Sequence, residues 1–462
     1  MISLDDKRAA LLASTAAAFL TPLMASSVNI ALPSIGREFA MDALSLSWIA
    51  TSAVLAAAIF LVPFGRLADI HGRRKIFIYG LGTFTLFSLT SGLAPSGTIL
   101  IVSRSFQGVG AAMIFGTGVA MLASAYPPAD RGRVLGINVA ATYLGLSLGP
   151  FIGGFLTQHL GWRSLFYLTA LLGLCILILT LWRLKSEWAE AHGEKFDFSG
   201  SLLYTASLTM LMIGFSKLPG TTGVWTLVLG LAGLSAFVMW QRKAEKPLID
   251  VTLFARNVVF AFSNAAALIN YSATYAVTFL LSLYLQYIKG LDPQVAGVVL
   301  VAQPIMMALF SPLAGRLSDT IEPRVVASVG MAIICVGLAL LAFVGTGTSI
   351  ILVTIYLLLL GFGFALFSSP NTNAVMSSVE KRLYGLASAT LGTMRLTGQM
   401  LSMGIVMVVF ATTMGNTQIK PELYPMFLKS MQTAFGVFSV LCVVGVFASL
   451  ARGKVRNDPP PA

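Results

Sequence analysis

Arg104 and Arg395 are the only basic residues that we place well inside the long apolar runs of this sequence. A charged side chain in the middle of a membrane helix costs at least ~2.5 to 3.5 kcal/mol, and it persists where it faces a water-filled cavity or a partner. We therefore expect both arginines to take part in charge coupling or substrate binding. No aspartate or glutamate lies deep in the same runs, so the pattern also predicts a positive cavity that disfavours cations.

Uncharged polar and aromatic side chains in the same runs are candidates for substrate binding. The predicted cavity residues are Ser26, Asn29, Gln107, Asn138, Tyr143, Asn270, Tyr271, Tyr275, Gln303 and Gln399. An amide or hydroxyl group in an apolar environment needs a hydrogen-bond partner. A hydrogen bond between neighbouring helices is therefore an equally good interpretation of each of them.

The apolar runs repeat from one end of the sequence to the other. Hydrophobic residues make up 56% of the 462 residues and charged residues only 10%, whereas a soluble domain carries about a quarter charged residues. A membrane span needs roughly 20 apolar residues in a helix. The predicted fold is therefore an all-α polytopic membrane protein with fourteen spans, near 9–32, 45–64, 76–94, 98–125, 133–157, 164–183, 197–216, 223–241, 257–287, 294–314, 324–345, 348–369, 384–411 and 430–450. The first span shows no small-residue cleavage site, and we expect it to be retained.

The distribution of Lys and Arg predicts the orientation of these spans. With the N-terminus in the cytoplasm, twenty-two cations fall in inner segments and six in outer segments. Because cytoplasmic loops carry the excess of Lys and Arg, both termini are expected in the cytoplasm of a plasma-membrane protein. The net charge of +12 thus reflects topology, and we expect no nucleic-acid partner.

A repeat divides the chain into two halves. FGRLADIHGRR at the end of the second span matches AGRLSDTIEPR at the end of the tenth, 250 positions later, and Arg133 matches Arg382. This predicts six-helix bundles over 1–186 and 251–462, separated by a two-helix insert over 187–250. Internal repeats of this kind are typical of secondary transporters, which bind substrate between the halves.

The repeated segment combines glycines, an acid and several cations in a short predicted loop. Gly65 and Gly72 supply backbone freedom where the second span is expected to end. Asp69 could cap a helix N-terminus or pair with an arginine, in a contact that forms in one conformation and breaks in another. The cations could also be simple orientation signals. The predicted conformational gate comprises Gly65, Asp69, Gly72, Arg73, Arg74, Gly315 and Asp319.

The fifth span carries a stripe of small residues. Gly145, Gly149 and Gly153 recur every four residues, so they lie on one helix face and allow another backbone to approach closely. Pro150 adds a bend, and Gly154 extends the stripe. Ordinary helix packing and a moving contact are both consistent with this pattern.

These motifs resemble the major facilitator superfamily. GRLADIHGRRK is similar to that family's signature between helices 2 and 3, SRSFQGVGAAM to its fourth-helix pattern, and GLSLGPFIGG to its fifth-helix antiporter pattern. SLYLQYIKGLDPQVAG and SATLGTMRLTGQMLSMG resemble segments of the fourteen-helix drug:proton antiporter branch. The resemblance covers the whole chain, and it implies a role in proton coupling for Arg104.

One position departs from that branch. Its members commonly carry an aspartate in helix 1, and the matching residue here is Met24. A proton carrier needs a group that titrates in the cavity, and the nearest acids, Asp42 and Asp197, lie close to helix starts, where capping is the simpler role.

The motifs favour proton-coupled efflux of hydrophobic or amphipathic compounds. We expect the protein to act as a monomer in the lipid bilayer. Its expected partners are a small-molecule substrate and protons, and we expect no cofactor. The alternative within transport is an anionic metabolite or lipid-like substrate bound by Arg104 and Arg395. A membrane sensor or enzyme is a remote third possibility, because the sequence contains no metal-ligand cluster and no Ser/His/Asp set in apposition.

Overall fold

A computed structural model describes residues 4–380, 383–415 and 417–453. These residues form seventeen α-helices: α1 (Leu4–Glu38), α2 (Ala43–His71), α3 (Arg73–Gly92), α4 (Gly97–Ala125), α5 (Pro128–His159), α6 (Arg163–Arg183), α7 (Phe198–Lys217), α8 (Thr221–Gln241), α9 (Val251–Arg256), α10 (Val258–Thr274), α11 (Ala276–Leu283), α12 (Pro293–Leu300), α13 (Ala302–Thr320), α14 (Pro323–Leu341), α15 (Ile350–Ser377), α16 (Tyr384–Thr413) and α17 (Tyr424–Ala451). A π-helical turn, Tyr284–Ile288, follows α11, and a short 3₁₀ turn, Pro421–Leu423, precedes α17. The predicted all-α fold is confirmed.

Thirteen helical segments of the described chain are long and apolar enough to cross a membrane. They overlap thirteen of the fourteen predicted spans. The remaining predicted span, 76–94, falls on α3, a helix of 20 residues that begins with Arg73, Arg74 and Lys75. Its crossing of the membrane stays a prediction.

Two helices begin at capping residues that the sequence predicted. The Asp42 carboxylate accepts from the backbone N–H of Ser45 at 2.8 Å, and the Asp197 carboxylate accepts from that of Gly200 at 2.8 Å. Each bond satisfies an amide at a helix start that has no partner within the helix. The predicted capping role of these two acids is confirmed.

Two predicted spans are interrupted. The span predicted over 257–287 consists of α10, α11 and the π-helical turn, and the backbone N–H of Ala276 at the interruption donates to Ser402 Oγ at 3.1 Å. The span predicted over 294–314 consists of α12 and α13. Apolar periodicity predicts that a segment is helical. It does not show where a single backbone hydrogen bond of that helix is missing.

The contacts divide the chain into two units. The first lies within Met1–Leu248, Thr278–Val301 and Met403–Ser430, and the second within Ile249–Val277, Ala302–Ser402 and Met431–Ala462. In the first unit α1 packs along α5, and α3 lies between α4 and α6. In the second, α15 packs against α13 and α14.

Candidate functional site

The predicted gate residues Asp69 and Arg73 form an ion pair in the first unit. Arg73 Nε donates to Asp69 Oδ1 at 2.8 Å, and the Arg73 side chain is only 9% exposed. The same guanidinium donates to Ser124 Oγ at 2.5 Å and to both carboxylate oxygens of Glu190, at 2.8 and 3.1 Å. Of the two roles left open for Asp69, the structure shows the pairing with arginine. We call Asp69, Arg73, Ser124 and Glu190 the gate cluster.

Glu190 belongs to the linker between α6 and α7, which supplies two further carboxylates to the same region. Glu187 accepts from the backbone N–H groups of Arg74 and Lys75, at 2.8 and 3.1 Å, and so satisfies the start of α3. Glu194 pairs with Arg66 and with Lys246. An acidic linker therefore neutralises the cations around the α2–α3 connection.

The pKa values of two linker acids are lowered. Burial raises the pKa of Glu190, but hydrogen bonds from Ser124 and Arg73 and the charge of Arg73 outweigh it. The hydrogen bond from Lys246 is the largest influence on Glu194; together with Arg66 it outweighs desolvation and lowers the pKa of Glu194. Both carboxylates are therefore held in their charged form at neutral pH.

The glycines of the gate differ in their surroundings. Gly72 has φ of +116° between α2 and α3, a conformation that favours glycine, and an added Cβ would lie 2.5 Å from the Glu187 carboxyl carbon. The expectation that the second span ends near Gly65 is wrong, because α2 continues as a helix to His71. Gly65 lies inside that helix, and an added Cβ there meets no atom within 4 Å.

The other predicted gate residues lie at two helix ends. Arg74 Nε donates to the carbonyl oxygen of Leu184 at 2.5 Å. Gly315 lies in α13 and faces Ser369 Oγ, 3.0 Å from an added Cβ. The side chain of Asp319, in the last turn of α13, and the predicted repeat residue Arg382 lie outside the part of the chain that the structure describes.

The α5 glycine stripe lies against α1. A Cβ added at Gly145 would overlap the carbonyl oxygen of Phe19, and one added at Gly149 would overlap Ser26 Oγ. At Gly153 the added atom would lie 2.8 Å from Ser27 Cα. Close backbone approach along a small-residue stripe is a recurrent mode of membrane helix association.

Pro150 and Gly154 lie on a second contact of α5, with α12. An added Cβ at Gly154 would overlap the carbonyl oxygen of Pro293, and one at Gly297 would overlap that of Pro150. Because backbone lies on both sides, neither glycine position has room for a side chain. The five residues of the predicted motif therefore pack α5 against two different helices of the first unit.

Arg104 is buried, with 4% of its surface exposed. Its Nε donates to the carbonyl oxygen of Ile49 at 3.2 Å, and its Nη1 donates to Gln107 Oε1. Gln107 in turn donates to Ser88 Oγ at 2.6 Å. Arg104 and Gln107 thus belong to one buried chain of hydrogen bonds that links α2, α3 and α4.

Arg395 has different surroundings in the second unit. Its Nη2 donates to Thr372 Oγ1 at 2.7 Å, and its guanidinium carbon lies 5.7 Å from the centre of the Tyr271 ring. Its Nε is buried without a hydrogen-bond partner. The Tyr271 ring is held edge-on against Phe364. This cation therefore retains an unused buried donor beside an aromatic ring.

The remaining predicted cavity residues of the first unit lie on α1 and α5. Ser26 Oγ donates to the carbonyl oxygen of Pro22 at 2.9 Å within its own helix. The backbone oxygen of Asn29 accepts from Ser282 Oγ at 2.6 Å. Asn138 Nδ2 donates to the carbonyl oxygen of Ser14 at 3.2 Å, and Tyr143 is half-buried. Hydrogen bonding between or within helices accounts for the side chains of Ser26 and Asn138.

In the second unit two predicted cavity residues carry unsatisfied polar atoms. Both side-chain polar atoms of the fully buried Asn270, and Oε1 of Gln303, have no hydrogen-bond partner. Tyr275 and Gln399 are half-buried. Buried amides without partners are costly, and they are therefore candidates for contact with a bound molecule.

Three residues have surroundings that the sequence analysis did not predict. Glu190 contacts Arg73, although it lies in none of the sequence motifs. Met24 contacts α6, where its sulfur accepts from Thr169 Oγ1 at 3.0 Å. Arg452, directly after α17, is fully buried. It donates to Asn371 Oδ1 at 2.9 Å and to the carbonyl oxygen of Pro323 at 2.7 Å, and burial lowers its pKa to about 10. The sequence holds one weak signal for Arg452, its position directly after an apolar helix.

Comparisons with known proteins agree with this architecture. The family model for the Major Facilitator Superfamily matches residues 15–403 and 264–462. The multidrug resistance protein Stp of Mycobacterium tuberculosis is 34% identical over 88% of this chain and 76% of its own length. The cephamycin export protein CmcT of Amycolatopsis lactamdurans is 31% identical over 98% of this chain and 94% of its own.

A solved structure shares the fold. It is that of a bacterial homolog to the human lysosomal transporter Spinster, in an inward-facing and unoccupied conformation. The TM-score is 0.72 at 16% identity, over 98% of both chains.

Proposed function

The chain belongs to the Major Facilitator Superfamily, and we propose that this multi-pass membrane transporter exports hydrophobic or amphipathic compounds in exchange for protons. The α5 glycine stripe is the observation that carries the proposal. Its fit against α1 leaves no room for a side chain at Gly145 or Gly149, so the two helices move as one body when the transporter changes conformation. The names of Stp and CmcT, a multidrug resistance protein and a cephamycin export protein, support the direction and the substrate class.

We propose further that the gate cluster forms in one conformation and opens in another. Its members come from α2, α3, α4 and the α6–α7 linker, so relative movement of these elements must break charge-assisted hydrogen bonds. The proposal also includes fourteen spans in a six, two and six arrangement, with both termini in the cytoplasm. It places the protein in the plasma membrane as a monomer.

Transport by the purified protein in liposomes tests this function. Liposomes are given an inward or outward pH gradient and presented with cationic, neutral and anionic dyes, and protein-free liposomes serve as the control. We expect a pH gradient to drive uphill movement of at least one amphipathic dye, and a protonophore to abolish it. If the pH gradient changes the movement of none of the dyes, proton coupling is contradicted.

An anionic substrate is the second candidate, and Arg395 is the observation that favours it. Its buried Nε without a partner, beside Tyr271, would suit a carboxylate or other acceptor on an aromatic compound. Arg104 differs, because it is hydrogen-bonded to Gln107 and Ile49. Arg395→Gln should weaken transport of anionic dyes more than that of neutral dyes. Equal loss for both classes would contradict this candidate.

A further inference from the structure

An apolar groove runs between α3 and α6 on the exposed surface of the first unit. It contains two cavities, of about 470 and 450 Å³. Both are lined by Gly82, Leu86 and Leu177, so they form one continuous groove. We call it the α3–α6 groove.

The dimensions of the groove suit an extended apolar chain. It follows α3 from Ile78 to Leu89, which at 1.5 Å per residue is about 17 Å. One leaflet of a bilayer's hydrocarbon core is about 15 Å thick, half of the ~30 Å total. The wall residues Leu86 and Leu174 are 55% and 44% exposed, so the groove opens to the outside of the helix bundle, and it faces lipid if α3 crosses the membrane as predicted.

Gly82 forms the floor of the groove, where the two cavities meet. A Cβ added at Gly82 meets no atom within 4 Å, so helix packing does not require a glycine there. Gly80 lies on the opposite face of α3 and differs in this respect, since its added Cβ would lie 2.7 Å from Met113 Cβ. The missing side chain at Gly82 thus leaves space open to the outside and serves no helix contact.

Two exposed cations lie at one end of the groove. Lys75 is one turn before Tyr79 on α3, and Arg183 is two residues after Leu181 on α6. These helix ends are adjacent, because Arg74 donates to the carbonyl oxygen of Leu184. The ion pairs found in the described part of the chain include neither Lys75 nor Arg183. The nearby Glu187 carboxylate accepts from backbone N–H groups.

From this arrangement we propose that the α3–α6 groove binds one anionic phospholipid. An acyl chain lies along Gly82, Leu86 and Leu177, and the phosphate of the headgroup contacts Lys75 and Arg183. The lipid comes from the leaflet on the side of these two cations. Its binding restrains α3 against α6, next to the connection that holds Arg73.

Filling the groove tests the acyl-chain site. Gly82→Phe places a ring where the two cavities meet, and Gly436→Phe is the matched control, because Gly436 is also a half-buried helical glycine with no atom within 4 Å of an added Cβ. Native mass spectrometry of the purified full chain, supplied with phosphatidylglycerol, counts the lipids retained. We expect Gly82→Phe to lose one tightly held lipid that the wild type and Gly436→Phe keep. Equal retention by all three proteins would overturn the proposal.

Removing the two exposed cations tests the headgroup contacts. Each cation near an anionic lipid contributes about fivefold in affinity, so Lys75→Gln with Arg183→Gln should lower the affinity for phosphatidylglycerol by roughly 25-fold. The affinity for phosphatidylcholine should be unchanged. Arg242→Gln with Lys243→Gln, two exposed cations after α8, is the control. A wild-type protein that retains phosphatidylcholine as well as phosphatidylglycerol would overturn the assignment to an anionic lipid.

Discussion

Arg73 donates to both carboxylate oxygens of Glu190, across 117 positions of sequence, at 2.8 and 3.1 Å. Two-pronged pairing of this kind gives geometric specificity as well as energy. The same guanidinium contacts Asp69 and Ser124. The α6–α7 linker therefore supplies a partner of the gate cluster that the repeated sequence motif does not contain.

The pairing predicts an acid-dependent loss of stability. The lowered pKa of Glu190 means that its stabilising contribution is fully present above the ordinary value of 4.5 and is lost as the pH falls through the lowered pKa. Glu190→Gln should lower the thermal unfolding midpoint at pH 7 and make less difference at pH 3. Because Glu190 is 63% exposed, we expect at most about 1 kcal/mol. Glu245→Gln, at an exposed acid, is the control, and an equal effect of the two variants would contradict the pairing.

The α5 stripe predicts a position-specific intolerance to side chains. Gly145→Val would force its side chain against the Phe19 carbonyl oxygen, and overpacking of this kind costs about 1 to 3 kcal/mol. We expect a lower unfolding midpoint and loss of dye transport. Gly136→Val is the control on the same helix, since an added Cβ at Gly136 meets no atom within 4 Å. If both variants lower the unfolding midpoint and dye transport to the same extent, the contact between the glycine stripe and α1 is not the cause of the loss.

The hydrogen bond between Arg104 and Gln107 predicts energetic coupling. Either Arg104→Met or Gln107→Leu breaks the bond, so the double variant should cost less than the sum of the two single variants. Residues in one buried network typically couple by about 0.5 to 3 kcal/mol. Unfolding measurements on the wild type, the two single variants and the double variant give this coupling free energy. Thr226→Ala on α8, whose hydroxyl bonds within its own helix, should add independently to Arg104→Met.

Burial of Arg452 predicts that its truncation destabilises the second unit. Arg452→Ala leaves Asn371 Oδ1 and the Pro323 carbonyl oxygen without this donor and opens a cavity at a fully buried position. The two acceptors left without a donor alone cost about 2 to 6 kcal/mol, so we expect a clearly lower unfolding midpoint. Arg256→Ala, at an exposed cation in α9, should have little effect. A similar small effect of both substitutions would contradict the structural role of Arg452.

Part of the candidate site was open to prediction from residue types and spacing. The four-residue period of Gly145, Gly149 and Gly153 predicted a close helix contact, and the positions of Asp42 and Asp197 predicted helix caps. The partners of Arg104 and Arg395 were not open to prediction, because the two arginines occupy similar apolar runs. Arg104 meets Gln107 one turn away, whereas Arg395 meets Thr372 on another helix.

The sequence by itself determined an all-α membrane protein, because continuous apolar runs of about 20 residues match helical spans, which satisfy their own backbone in a bilayer. Local signals also determined that Gly72 breaks a helix, because its backbone conformation is open to few other residues. Only the tertiary structure decided that Glu190 completes the gate cluster, that Arg452 is buried and that Gly82 opens a groove. Each of these properties depends on which distant helices lie beside the residue, and neither hydropathy nor local spacing encodes that arrangement.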